Sequence, residues 1–149
     1  VTTLDLPTAD RLAEATLRHG RRRHAAPLTV AVLDAGGHLV VLKRDDGSGI
    51  LRPQIAVAKA YGAVGMGMSS RALAERAEKQ PVFFGTLAAA ADGRFAPAPG
   101  GVLVRDTDGT LLGAVGVSGD VSDVDEQCAV DAVLDVGLVP DPLAGPLDG

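Results

Sequence analysis

The chain has 149 residues, 46% hydrophobic and 22% charged, with a net charge of −5, the balance of one ordinary globular domain. Aromatics are only 3% and Trp is absent, which excludes a base-stacking platform, and the acidic balance excludes a phosphate backbone as partner. The single cysteine, Cys128, excludes an intrachain disulfide and a cysteine zinc site.

Thr8 or Asp10 is placed to cap a first helix that runs to about His24, with Leu12, Ala13, Ala15 and Leu17 as its apolar face. Arg18, Arg21, Arg22 and Arg23 make a basic patch at its end, where cations suit the helix dipole. Pro27 stops it. Thr29–Asp34 (TVAVLD) is dense in β-branched residues and reads as a strand. Ala35–His38 is a turn and Leu39–Arg44 the return strand, before Asp45–Gly49 breaks the pattern.

Arg52 to Met68 reads as a helix beginning at Pro53. It is apolar nearly all round, so it is expected to be buried on more than one side. Gly62, Gly65 and Gly67 thin its second half. Ser70 is placed to cap a short helix, Ala72–Lys79, and Val82–Ala91 reads as another short helix under the core. Ala96–Gly101 (APAPGG) is a loop. Val102–Arg105 and Thr110–Val117 form a second hairpin around the turn Asp106–Gly109.

Gly113, Gly116 and Gly119 recur every third residue at the end of that hairpin, among small or β-branched residues. Glycine weakens a strand, so this series implies that another backbone or a ligand comes close. Ser122 and Asp125 make a capping-box-like start to a last helix, with Asp123, Asp125 and Glu126 in its first turn. Val124, Cys128, Ala132 and Val136 form its apolar stripe, and Gly137 ends it. The expectation is a single domain over residues 1–139 and a loose tail over 140–149. Strand pair, helices, strand pair, helix argues for an α+β fold with an antiparallel sheet covered by helices. No run of about 18 apolar residues is present, so no membrane span is expected. No signal peptide is visible and cytoplasmic location is the expectation, although a start at Val1 leaves trimming of a leader open.

Three stretches together resemble the GlcG/HbpS family, often labelled haem-degrading, which includes the C-terminal domain of PduO-type corrinoid adenosyltransferases. They are LTVAVLDAGG (Leu28–Gly37) with Arg44–Gly47 after it, IAVAKA (Ile55–Ala60), and PGGV (Pro99–Val102) leading to GAVGVSG (Gly113–Gly119) and Asp125-Glu126. The resemblance implies a profilin-like sandwich with a five-stranded antiparallel sheet, and homo-oligomers with sites near subunit interfaces. Its members bind haem, assist cobalamin metabolism, or resemble small cofactor-free isomerases. Tyr61 stands where the family often has threonine.

Lys59 is the only charge between Gln54 and Ser70, in a helix that reads as buried. A buried ammonium is paired or its pKa falls, so it is a candidate proton carrier or carboxylate binder, or else a snorkelling structural lysine. Asp125 or Glu126 is the candidate second acid/base, the alternative being plain first-turn carboxylates. Arg44 is a candidate carboxylate clamp, the alternative being an ion pair with Asp45 or Asp46. Gly100, Gly101 and Val102 offer backbone N–H groups for an oxyanion, with Gly116 and Ser118 lining the same wall. Ser118 lacks the spacing of a nucleophile elbow. Cys128 reads as a small buried residue.

The first functional reading is therefore a small oligomeric enzyme without cofactor or metal. It would move a proton on an oxo- or hydroxy-acid or an enol, as an isomerase, tautomerase or lyase, using an accessible hollow beside Lys59. The second is a haem or tetrapyrrole binder. His19 would be its axial ligand, at the place where the resemblance puts one, with the arginine patch on the propionates. The third is a non-catalytic accessory protein.

Overall fold

The computed structural model of the chain describes residues 3–148. Five helices and five strands follow in the order α1 (Leu6–Arg22), β1 (Thr29–Asp34), β2 (Leu39–Arg44), α2 (Arg52–Met66), α3 (Ser70–Lys79), α4 (Pro81–Ala90), β3 (Gly101–Arg105), β4 (Leu111–Ser118), α5 (Ser122–Asp135) and β5 (Val139–Asp141). The sheet order is β2-β1-β4-β3-β5 and every pairing is antiparallel, so the α+β architecture with a five-stranded sheet is as expected. Among the described residues no helix is long and apolar enough to cross a membrane.

Strand alternation divides the core. Val30 and Val32 of β1, Val102 and Val104 of β3, and Val115 and Val117 of β4 face α1 and α5. Ala31, Leu33, Leu103 and Ala114 face the other way and pack under Ala56, Ala60 and Ala63 of α2. The small residues on that second face let α2 sit unusually low on the sheet.

The glycines complete the arrangement. Gly101 pairs with Gly116 across β3 and β4. A Cβ on Gly101 would lie 2.3 Å from the Lys59 carbonyl oxygen, and one on Gly116 would lie 2.0 Å from that of Ala56. Of the two bodies the glycine series could admit, a backbone or a ligand, it is backbone that occupies the space: the Leu33 carbonyl at Gly113, the Ala56 carbonyl of α2 at Gly116 and the Pro27 carbonyl at Gly119.

Several local expectations change. Asp5, not Thr8 or Asp10, caps α1: Thr8 N–H donates to its carboxylate at 2.9 Å. Ser69, not Ser70, caps α3 by accepting from Ala72 N–H. Val121 rather than Ser122 is the N-cap of α5, and no side chain caps that end, because Asp125 turns inward. Helix α4 lies at the periphery instead of under the core. Only Phe84 of it is buried, while Val82 and Phe83 are exposed.

Of the segment expected to be loose, residues 140–148 are tied down; Gly149 lies outside the described residues. Val139–Asp141 adds the fifth strand to the edge at β3. Beyond it, the buried side chain of Gln127 accepts from Leu147 N–H and donates to Asp148, both at 2.8 Å. One polar side chain inside α5 thus supplies the order that the tail's own sequence lacks.

Candidate functional site

Lys59 projects from α2 past the end of β4. It is 3% exposed. Its Nζ donates to the Val117 carbonyl at 2.9 Å and to Asp125 Oδ2 at 3.3 Å. Gly100 leaves room for it: the residue has φ +130°, and a Cβ there would lie 2.8 Å from Nζ. Asp125 Oδ1 accepts from Asp120 N–H at 3.0 Å, so one carboxylate ties the α2 ammonium to the turn before α5.

The neighbouring carboxylate continues the network. Glu126, 1% exposed, accepts from Arg71 Nε at 2.9 and 3.2 Å, and Arg71 also donates to Asp123. Arg52, opening α2, donates to Ser118 Oγ at 3.0 Å. Burial pushes Lys59 below its ordinary value and Asp125 above its own, and each partner's opposite charge resists the shift. Burial also raises Glu126, against the pull of Arg71.

The sequence-derived candidates separate into those this network holds and those it does not. Lys59, Asp125, Glu126, Gly100 and Ser118 come together. Gly116 is covered by α2. Gly101 donates its N–H to Ser70 Oγ at 2.6 Å, and Val102 lies fully buried in the β3 ladder, so the Gly100–Val102 turn is not an open nest for an oxyanion. Arg44 is exposed on edge strand β2 and donates to the Ser48 carbonyl at 2.7 Å, closing its own loop. The anticipated ion pair with Asp45 goes instead to Arg21, at 2.8 Å. Cys128 is fully buried and its thiol is pushed up to about 12, so it carries no nucleophile.

Arg52 and Arg71 are the functional-type residues that sequence reasoning passes over. Each sits in the first turn of a helix, beside Pro53 and Ser70, where a cation opposes the helix dipole. That unfavourable placement is the one local signal that a tertiary partner holds them.

Among the described residues no open hollow of the kind anticipated reaches Lys59, which is 3% exposed. Cavities of about 180, 440, 250 and 260 Å³ are lined by other residues. Among the described residues no buried side-chain nitrogen or oxygen lacks a partner. The network is closed and satisfied, which suits joining α2, α3 and α5 better than receiving a substrate.

His19 stands elsewhere. It lies in the seam between α1 and α5, its side chain 16% exposed. Nε2 and Asp135 Oδ2 are 2.6 Å apart, and Nδ1 lies 3.9 Å from Asp131 Oδ2. Arg18 and Arg23 reach the same two carboxylates, at 3.6 and 3.4 Å. Asp125 and Asp135 are separated by about 15 Å of helix, so the two clusters are distinct. A cavity of about 250 Å³, lined by Asp10, Arg11, Glu14 and Ala15, shares Arg18 and Asp135 with this seam.

Comparison with known structures gives this geometry relatives. A double mutant of HbpS from Streptomyces reticuli is 29% identical, covers 91% of this chain and 88% of its own, and superposes with a TM-score of 0.78. A complex of PduOC with haem is 24% identical over 91% of this chain and 96% of its own, with a TM-score of 0.82. The Klebsiella pneumoniae protein OrfY is 22% identical over 92% of each chain, also at 0.82. No curated protein sequence matches. The family model described as haem degrading protein HbpS-like matches residues 4–134, so the chain belongs to the HbpS-like family.

Proposed function

We propose that this domain binds haem or a related tetrapyrrole through the α1–α5 seam, as a ligand-binding rather than a proton-transfer protein. The observation that carries the reading is the setting of His19: an imidazole backed by carboxylates and flanked by guanidinium groups. Metal-ligating histidines usually hold a carboxylate on the second ring nitrogen, which fixes the tautomer and orients the ring. Asp131 and Asp135 are placed for that role. Asp135 is 42% exposed, and freeing one ring nitrogen from it costs about 1 kcal/mol or less. Arg18 then keeps the displaced carboxylate; Arg21 and Arg23 are paired with Asp45 and Asp131, and Arg22, without an ion pair among the described residues, is the patch residue free for a propionate. The donor set therefore fits the group. Bound there, haem would be held through its iron by the His19 imidazole and would supply the iron's ligand-binding and redox chemistry. Membership of a family described as haem degrading supports the same reading.

The cavity that shares Arg18 and Asp135 with the seam, about 250 Å³, lies below the usual range for an enclosed ligand, so the macrocycle rests against the seam rather than inside it. Oligomeric assembly belongs to this reading. Ile50 is 93% exposed, and Leu51, Val82 and Phe83 are also exposed, apolar surface that a second copy of the chain would cover.

The test is a haem titration followed at the Soret band, with light scattering to count chains. Saturation at one haem per chain or per two chains is expected. His19→Ala should abolish the ligation signature, and His38→Ala, in the exposed hairpin turn, should leave it unchanged. Absence of saturation, or a spectrum indifferent to His19→Ala, overturns the reading.

A further inference from the structure

A groove of about 440 Å³ opens on the α2 side of the sheet and shares no lining residue with the Lys59 network or the His19 seam. Its floor is apolar: Leu42 of β2 with Pro53 and Val57, one turn apart on α2. Leu42 faces this side because its neighbour Lys43 turns to α1 and pairs there with Asp10 at 2.9 Å. Gln54 and the loop after α4, Asp92 to Arg94, make the polar rim. The volume lies within the range of small-molecule sites.

Two exposed rim residues keep charge that the chain does not fully use. Asp92 has φ +52°, a left-handed conformation that aspartate and asparagine tolerate better than most residues. It also sets a carboxylate at the negative end of α4. Among the described residues its side chain has no ion pair and no hydrogen bond. Arg94, two residues on, does not pair with it either. The Arg94 guanidinium lies 3.9 Å above the Tyr61 ring, with Nη2 donating to the Tyr61 hydroxyl at 3.1 Å and Nε to the Ala91 carbonyl at 3.3 Å. That leaves Nη1 without a partner among the described residues. Stacking fixes the fork and leaves one arm of it free.

A fixed guanidinium, an uncommitted carboxylate and an amide around an aliphatic floor complement one kind of molecule. We propose that this groove binds a small zwitterion with an apolar body, a free α-amino acid with an aliphatic or aromatic side chain. Its carboxylate meets Arg94, its ammonium meets Asp92 at the carbonyl end of α4, and its side chain lies on Leu42 and Val57. The inference does not rest on the tetrapyrrole reading and involves none of its residues.

The experiment is a two-dimensional amide NMR titration of the full chain with L-leucine and L-phenylalanine, and with propionate and propylamine as single-charge controls. Saturable shifts confined to the surroundings of residues 42, 54, 57 and 92–94 are expected. Arg94→Gln and Asp92→Asn should each weaken binding roughly tenfold or more, as for a lost charge-assisted bond. Asparagine tolerates the left-handed conformation, so Asp92→Asn keeps the test open even if Arg94→Gln loosens the loop. No saturable shift, shifts centred elsewhere, undiminished binding in both variants, or propionate binding as tightly as leucine would each overturn the proposal.

Discussion

Gly101 and Gly116 face each other across the β3–β4 ladder, and the α2 backbone rests on both. The pair sets the height of the helix above the sheet, and through it the depth of Lys59. Gly116→Ala would drive a methyl group into the Ala56 carbonyl. We expect a loss of about 1–3 kcal/mol or more in denaturant unfolding. Gly65→Ala, in the same helix but with nothing within 4 Å, should be neutral or stabilise by up to about 1 kcal/mol. Equal effects at the two positions would contradict close backbone packing as the reason for the glycine series.

Lys59 and Asp125 form the buried pair that joins α2 to α5. Lys59→Met leaves a buried carboxylate without its cation and should cost about 3–5 kcal/mol. Adding Asp125→Asn removes the stranded charge while keeping an acceptor for Asp120 N–H, and should restore part of that loss. A double variant as unstable as the sum of the singles would mean that the two groups do not interact.

Asp120 accepts from Ala26 N–H at 2.8 Å and from Val121 N–H at 2.7 Å, and these bonds hold its carboxyl below the ordinary value of 3.8. A folded-state value below the unfolded one gives stability that is present above the unfolded value and is lost as pH falls through the folded one. Asp120→Asn should therefore flatten the acid limb of the stability profile below about pH 4. At neutral pH it should cost roughly 1 kcal/mol or less, since the group is partly solvated. An unchanged acid limb would show that other carboxylates set it.

Gln127 holds the C-terminal segment by two bonds, to Asp148 and from Leu147 N–H, while a third, to Asp131, stays within α5. Gln127→Ala should speed amide exchange at Leu147 and admit protease after β5, while costing about 1–2 kcal/mol overall. Unaltered exchange there would mean that strand β5 alone orders the segment.

Much of the fold is legible in local pattern. The β-branched run Thr29–Asp34 and its return strand, the apolar helix with one lysine, and the acidic start of α5 each carry their period or their end signal within about a dozen residues. Helix α4 is legible as a helix but not in its peripheral place, and the fifth strand is not legible. Pro81–Ala90 is apolar without a face, and Val139–Asp141 is too short to show alternation.

The candidate site divides along the same line. Chain order alone marks Lys59 as a charge among apolar neighbours, and it marks the glycine series as a place of close approach. It does not say what approaches, because glycine removes an obstacle without naming the occupant. The 66 positions between Lys59 and Asp125, and the 116 between His19 and Asp135, are closed only when helices pack on the sheet. Arg44 and Arg52 carry the same charge, and only strand order and helix placement turn one toward its own loop and the other toward Ser118. Local sequence determined which elements form, since backbone period and end signals act over a few residues. Tertiary packing decided which charges meet and whether a cavity remains between them, since both depend on register and helix height that no single segment encodes.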